Sequence, residues 1–240
     1  FFTENKKNYL KNFANKNKII TFDHDPDIGG RFSIFSITGL LPLIVMGYSL
    51  DSLIQSFINA KNKFIKNHKE LSQNILTSLK YEDTMKLSNL VGLSYHDRVN
   101  TINEWYRQIF AESLGKNKKS KNYISSYGSI DQHSQFQLFI DGPRDKHFIF
   151  FRIHNKASNI KNNHQLIRDY NLSTTLERGA IKTFQQKKFL VNQIIIEEKF
   201  NDYNYLIIYL IFDIYLRSKV AKINFLDQPA VEILKKNTSI

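Results

Sequence analysis

The sequence predicts an α/β fold, doubly wound, with a largely parallel sheet flanked by helices. Short runs rich in β-branched and aromatic residues, at Leu90 to Tyr95, His147 to Ile153 and Gln193 to Glu197, read as strands. Between them lie longer stretches with helical spacing of apolar residues, such as Ile102, Trp105 and Ile109, or Tyr205 to Val220. Strands that alternate with helices favour parallel pairing, because each return to the same sheet edge needs a crossover. A chain of 240 residues is long enough for one large or two small domains with a real core.

Taken in order, residues 4 to 15 read as a polar helix and Ile19 to Phe22 as a short strand. The strand leads into Asp25-Pro26-Asp27-Ile28-Gly29-Gly30-Arg31-Phe32-Ser33, where two glycines allow a tight turn and close ligand approach before a fixed cation. Ser52 to His68 is expected to be helical, and a further helix to begin near Ser72. After the strand at Leu90, a helix ends in Ala111-Glu112-Ser113-Leu114-Gly115-Lys116, followed by a basic loop. Ser129 and Gln132 have capping-box spacing, which would open a second helix with His133 in its first turn. Thr174 and Glu177 form a second such pair before a helix to about Lys188. Ser173-Thr174-Thr175 lacks a preceding glycine-rich turn, so capping explains it better than phosphate binding. At the end, Pro229 suits a first helical position, and Gln228, Val231 and Lys235 share one face.

Composition excludes several classes. With no cysteine, disulfides and thiolate metal sites are ruled out, and a reducing, cytoplasmic location is compatible. The formal charge of +12 raises nucleic acid as a partner. Much of that charge is scattered lysine, however, and no aromatic-interleaved binding motif accompanies it. The densest run, Lys116 to Lys121, reads as a loop or a weak attractor of anions. Neither Ile37 to Leu50, broken by Pro42, nor Leu206 to Leu216, containing Asp213, supplies the roughly 20 apolar residues of a membrane span. The chain begins Phe1-Phe2 without an initiator methionine, so a piece of a longer polypeptide is expected.

The chemistry concentrates between Asn103 and Gly142. Glu112 follows Ile102, Trp105 and Ile109 at spacings of three and four, so its carboxylate shares a face with an apolar stripe and is hard to hydrate. A Glu on a helix is ordinarily solvated or ion-paired, and a lone histidine is more often structural. A semi-buried acid and a histidine at a helix start are nonetheless suited to proton handling.

Four motif regions settle the weighing: Gly29-Gly30-Arg31-Phe32-Ser33 with Gly39-Leu40-Leu41-Pro42; Asn103 to Gln108 with Ala111 to Lys116; Asp131 to Leu138; and Asp227-Gln228-Pro229-Ala230-Val231-Glu232-Ile233-Leu234-Lys235. In this order they resemble the C-terminal half of the glucose-6-phosphate isomerase family. The resemblance implies two sugar-isomerase domains, with residues 1–47 ending the first and its connection, 48–222 forming the second, and 223–240 a C-terminal helical segment. It implies interconversion of glucose 6-phosphate and fructose 6-phosphate through a cis-enediol, in glycolysis and gluconeogenesis, with no metal or organic cofactor. It makes Glu112 the base, Arg31 the stabiliser of enediolate charge, His133 and Lys235 helpers of ring opening, and Gln228 a substrate contact. The family places the histidine in the partner subunit's site, which implies a homodimer, with neither nucleic acid nor membrane as partner. The family's Ser/Thr-rich and Gly-rich phosphate loops have no match here, so the chain alone is expected to be inactive. The alternative within the same fold is a non-catalytic sugar-phosphate-binding module.

Overall fold

A computed structural model describes residues 1–118, 120–154, 164–197 and 199–238. The chain divides into two compact units, Phe1–Ile58 and Asn59–Ile240. In the first, β1 (Phe2–Glu4) and β2 (Phe22–His24) form a parallel pair, with α1 (Tyr9–Lys16) between them. The polar helix starts later than its composition predicts because Asn8 caps it, its side chain accepting from the Lys11 N–H at 2.8 Å. A 3₁₀ helix, Gly30–Phe35, follows, and then α2 (Ile37–Val45), which carries Pro42 in its interior.

The helix α3 (Leu50–Thr84) is continuous for 35 residues, where two helices were expected. Nothing between His68 and Ser72 breaks it: the intervening residues are Lys69, Glu70 and Leu71, and the Ser72 hydroxyl bonds back to the His68 carbonyl at 2.7 Å instead of capping. Beyond it comes a four-stranded sheet of β3 (Asn89–Ser94), β4 (Asn122–Tyr127), β5 (Lys146–His154) and β6 (Leu190–Glu197), in the order β4-β3-β5-β6. All three pairings are parallel, as the alternation of elements predicts. The edge strand β4 lies in the stretch read as loop and helix cap. Its pattern is weak because Asn122, Ser125 and Ser126 dilute its apolar residues.

The crossovers are α4 (Asp97–Leu114), the short pair α5 (Gly128–Ser134) and α6 (Phe136–Asp141), and α7 (His164–Gln186). After β6 come α8 (Phe200–Ala221) and α9 (Pro229–Asn237). The two-residue period of the strands feeds a core on each face of the sheet. Phe148 and Phe150 join Val91, Leu93, Ile181, Phe184 and Phe189 in one core. Ile149, Phe151 and Ile153 join Leu90, the buried face of α4 and Leu206, Leu210 and Ile214 of α8 in the other. Thr174 does not cap a helix. It lies well inside α7, and Glu177 instead accepts from Arg152 Nε on β5 at 2.9 Å.

One buried polar cluster ties four elements together. Glu82 of α3, fully buried, accepts from Arg217 of α8 at 3.0 and 3.1 Å, from His147 of β5 at 2.9 Å and from Lys121, just before β4, at 3.0 Å. Asp213 accepts from Arg217 Nε at 2.8 Å and from the Tyr106 hydroxyl of α4 in a short hydrogen bond. Burial pushes the Glu82 carboxyl up, but Arg217 and His147 outweigh it and hold the group well below the usual carboxylate range.

Candidate functional site

The C-terminal end of α4 opens onto a cleft of about 940 Å³. Glu112 and Gln228, from motifs far apart in the chain, line it together. Because α4 returns from the end of β3 to the start of β4, this cleft sits at the N-terminal ends of those strands. The doubly wound rule would have pointed to the opposite end, outside the carboxyl ends of β3 and β5, where the strand order reverses.

The face of α4 that reaches the core is turned relative to the expected stripe. Val99, Asn103, Tyr106, Ile109, Phe110, Ser113 and Leu114 are buried, while Ile102 and Trp105 are only partly covered. Glu112 therefore lies at the margin of the buried face, half-exposed to the cleft, and its Oε1 accepts from Gln108 Nε2 one turn earlier at 2.9 Å. The margin gives a carboxylate both access to solvent-borne substrate and a fixed orientation. Asn103 is buried, and its amide donates to the Gly92 carbonyl at 2.9 Å and accepts from the Tyr123 hydroxyl at 2.6 Å. This bonding fixes α4 on β3 and β4, and Glu112 with it.

The opposite wall is the segment after α8. Lys222 closes that helix in the left-handed conformation, with φ of 56°. Asn117 and Lys118, in the loop after α4, also have positive φ, 59° and 54°. Three of the six non-glycine residues with positive φ among the described residues thus line this one cleft. Such conformations persist where the surroundings over-determine them, as they do at functional sites. Lys116 spans the two walls, its ammonium bonded to the Asp227 carbonyl at 2.7 Å, to Asp227 Oδ1 at 2.5 Å and to the Asn224 carbonyl.

The other predicted residues are placed elsewhere. Lys235 lies exposed in the last turn of α9 and is not on the cleft wall, although Val231 and Ile233 of the same helix are. His133 is exposed in the last turn of α5, not its first. The expected Ser129–Gln132 capping box does not form. Asp131 instead turns back to accept from the Tyr127 N–H at 2.8 Å and from Ser126 Oγ at 2.7 Å, an ionised acceptor outcompeting a hydroxyl, and Gln132 accepts from the Tyr95 hydroxyl at 3.0 Å. Arg31 belongs to the first unit, where it is buried in the 3₁₀ helix with its guanidinium 5.0 Å from the Phe32 ring centre. A Cβ at Gly30 would meet nothing within 4 Å, and neither Gly29 nor Gly30 has positive φ, so the turn itself does not demand glycine there.

The basic run also reads differently in three dimensions. Lys116 is bound as described, and Lys121 is largely buried against Glu82 and Asp83. Both ends of the run are thus neutralised within the fold. Among the described residues, no helix is long and apolar enough to cross a membrane, and no group of three or more His, Asp or Glu could hold a metal ion.

Comparison with known proteins adds a second line of evidence. No family model matches the chain. It is 29% identical over 238 residues to a probable glucose-6-phosphate isomerase of Methanococcus maripaludis, covering 95% of this chain and 54% of that protein. It is 38% identical over 132 residues to a glucose-6-phosphate isomerase of Campylobacter jejuni, covering 53% of this chain and 32% of that one.

The chain is similar to glucose-6-phosphate isomerases over nearly its whole length.

It spans about half the length of the curated relatives that it matches most fully. Two solved structures share the fold. A hypothetical protein of Thermus thermophilus has a TM-score of 0.82 at 24% identity, over 99% of this chain and 61% of that one. A glucose-6-phosphate isomerase of Chlamydia trachomatis has a TM-score of 0.74 at 15% identity, over 99% of this chain and 51% of that one. The doubly wound α/β architecture is thus shared with both solved structures. Sequence reasoning missed Lys116, Lys222 and Asn117 as parts of the site. Lys116 ends a quoted motif, but its acceptors lie about a hundred residues further on, and no local pattern reports them.

Proposed function

We propose that this chain supplies the proton-transfer half of an aldose-ketose isomerase acting on glucose 6-phosphate and fructose 6-phosphate, in glycolysis and gluconeogenesis. The observation that carries the reading is the meeting of Glu112 and Gln228 in one cleft, since their two motifs are distant in sequence. Isomerisation moves a proton between adjacent carbons of the open-chain sugar. One carboxylate that takes the proton from one carbon and returns it to the next suffices, provided the substrate is held and the enediolate charge is stabilised. Glu112 is the base in this reading, held by Gln108 and half-open to the cleft. Gln228, an amide with both donor and acceptor atoms, orients the sugar hydroxyls.

The remaining roles rest on the motifs. Arg31 stabilises the enediolate, and His133 and Lys235 assist ring opening, His133 in the site of a partner subunit of a homodimer. The exposure of His133 suits a residue that acts outside its own chain. The domain assignment, 1–47, 48–222 and 223–240, belongs to the same proposal, as does a phosphate grip supplied from outside this chain.

Replacing Glu112 tests the reading in the full-length protein. Glu112→Gln should retain fold and sugar-phosphate binding while isomerisation falls by about a hundred- to ten-thousandfold, the range general base catalysis supplies. Fructose 6-phosphate formation in a coupled assay is the readout. Turnover near that of the wild type would remove Glu112 from the reaction, and binding without turnover in the wild type itself would favour the non-catalytic module.

A further inference from the structure

We infer that Lys116 is a positioning residue that fixes Gln228 opposite Glu112 by clamping the backbone of the C-terminal segment. The turnover part of this inference rests on the isomerase reading; the clamp itself does not.

An ammonium has three hydrogens to donate. Those of Lys116 go to three oxygens of one short segment: the Asn224 carbonyl, the Asp227 carbonyl at 2.7 Å and the Asp227 carboxylate at 2.5 Å. Its hydrogen-bonding capacity is used within the chain, so Lys116 is poorly placed to grip a substrate anion itself. The side chain is 13% exposed, well shielded for a lysine at the rim of a cleft. Two of the three acceptors are main-chain carbonyls, so the clamp fixes the path of the backbone and not merely a side chain.

The geometry transmits this to the site. The Asp227 carbonyl shares a peptide plane with the Gln228 nitrogen, so holding that oxygen sets the direction in which Gln228 leaves the chain. Pro229, with its fixed φ, then starts α9. At the other end of the clamp, Lys116 follows Glu112 by four residues, across the cap of the rigid α4. The five residues from Glu112 to Lys116 therefore work as a ruler between base and amide. Apolar burial alone is a poor substitute for this tie, because Ile233 and Leu234 of α9 each remain 62% exposed. Phe225, packed on Tyr215 with ring centres 6.1 Å apart, anchors the segment between the two clamped carbonyls.

Lys116→Met keeps the stem and removes the donors. Hydrogen exchange on the wild-type and variant proteins should show amides of 224–237 exchanging at least about tenfold faster in the variant, with β3 and β5 unchanged. If that variant does not fold, Asp227→Ala takes its place, since it deletes one exposed partner, spares both carbonyls and should give a smaller acceleration in the same peptides. Unchanged protection of 224–237 overturns the clamp. The positioning role is read from a double-mutant cycle on kcat/KM for glucose 6-phosphate in the full-length protein. Lys116→Met should cost about tenfold in the wild-type background and almost nothing where Gln228→Ala has already removed the amide. Equal losses in both backgrounds overturn action through Gln228. Absence of turnover in the wild type would instead sink the isomerase reading and leave the exchange result to decide the clamp.

Discussion

Arg217→Met should be among the most damaging single changes outside the cleft. Arg217 donates three hydrogen bonds to two buried carboxylates, one to Asp213 and two to Glu82. Methionine fills much of the same stem but leaves Glu82, fully buried, with His147 and Lys121, and Asp213 with the Tyr106 hydroxyl. Removing one partner of a buried ion pair costs about 3–5 kcal/mol, because the other charge stays desolvated. For a unit of this size each kcal/mol lowers Tm by about 2–4 °C, which gives a fall of about 6–20 °C. Thermal unfolding at pH 7, followed by circular dichroism, measures it, with urea midpoints as the check. The pH dependence supplies a second signature. Glu82 is held below its ordinary value of 4.5, so its stabilisation is present above that pH and is lost as pH falls below it. The variant, lacking the main cation, should lose less stability on acidification than the wild type does. A Tm fall below about 3 °C, or an unchanged acid slope, would refute the view that this cluster holds α3, α8 and the sheet together.

Two further outcomes are expected. Gly92→Ala should destabilise by at least about 2 kcal/mol in urea titration, because a Cβ there would collide with the Tyr123 hydroxyl and Asn103 Oδ1, which are buried and bonded to each other; a loss under about 0.5 kcal/mol would show that the pair gives way. Mixing full-length Glu112→Gln subunits with His133→Ala subunits should recover part of the activity, since some mixed dimers carry one site with both groups intact. No recovery despite demonstrated subunit exchange would place His133 outside a shared site.

The α/β class, the parallel sheet and three of its four strands were legible in the sequence, because β3, β5 and β6 carry runs of apolar residues and the long crossover helices keep their period. The likeness to glucose-6-phosphate isomerases was legible too, in ordered motifs that survive at modest identity. Signals that depend on competition between acceptors were not. Ser129 and Gln132 have capping spacing, yet Asp131, one position before Gln132, holds the Tyr127 N–H, since a carboxylate is the stronger acceptor. Thr174 and Glu177 have the same spacing, but Arg152 on a neighbouring strand engages Glu177 deep inside α7. The strand β4 was missed because Asn122, Ser125 and Ser126 dilute its apolar residues, whereas β6, also an edge strand, keeps the run Ile194 to Ile196.

The sequence by itself named the residues to which the chemistry is assigned in the proposal: Glu112, Gln228, His133, Arg31 and Lys235 all come from their motifs. Only the tertiary structure decided that Glu112 and Gln228 share a cleft, and that Lys116 is spent on clamping one wall of it to the other. The physical reason is range. Helical period and capping act over a few residues, whereas the Lys116 contacts to Asn224 and Asp227 and those of Arg217 to Glu82 join residues about a hundred positions or more apart, once the sheet has brought their helices together.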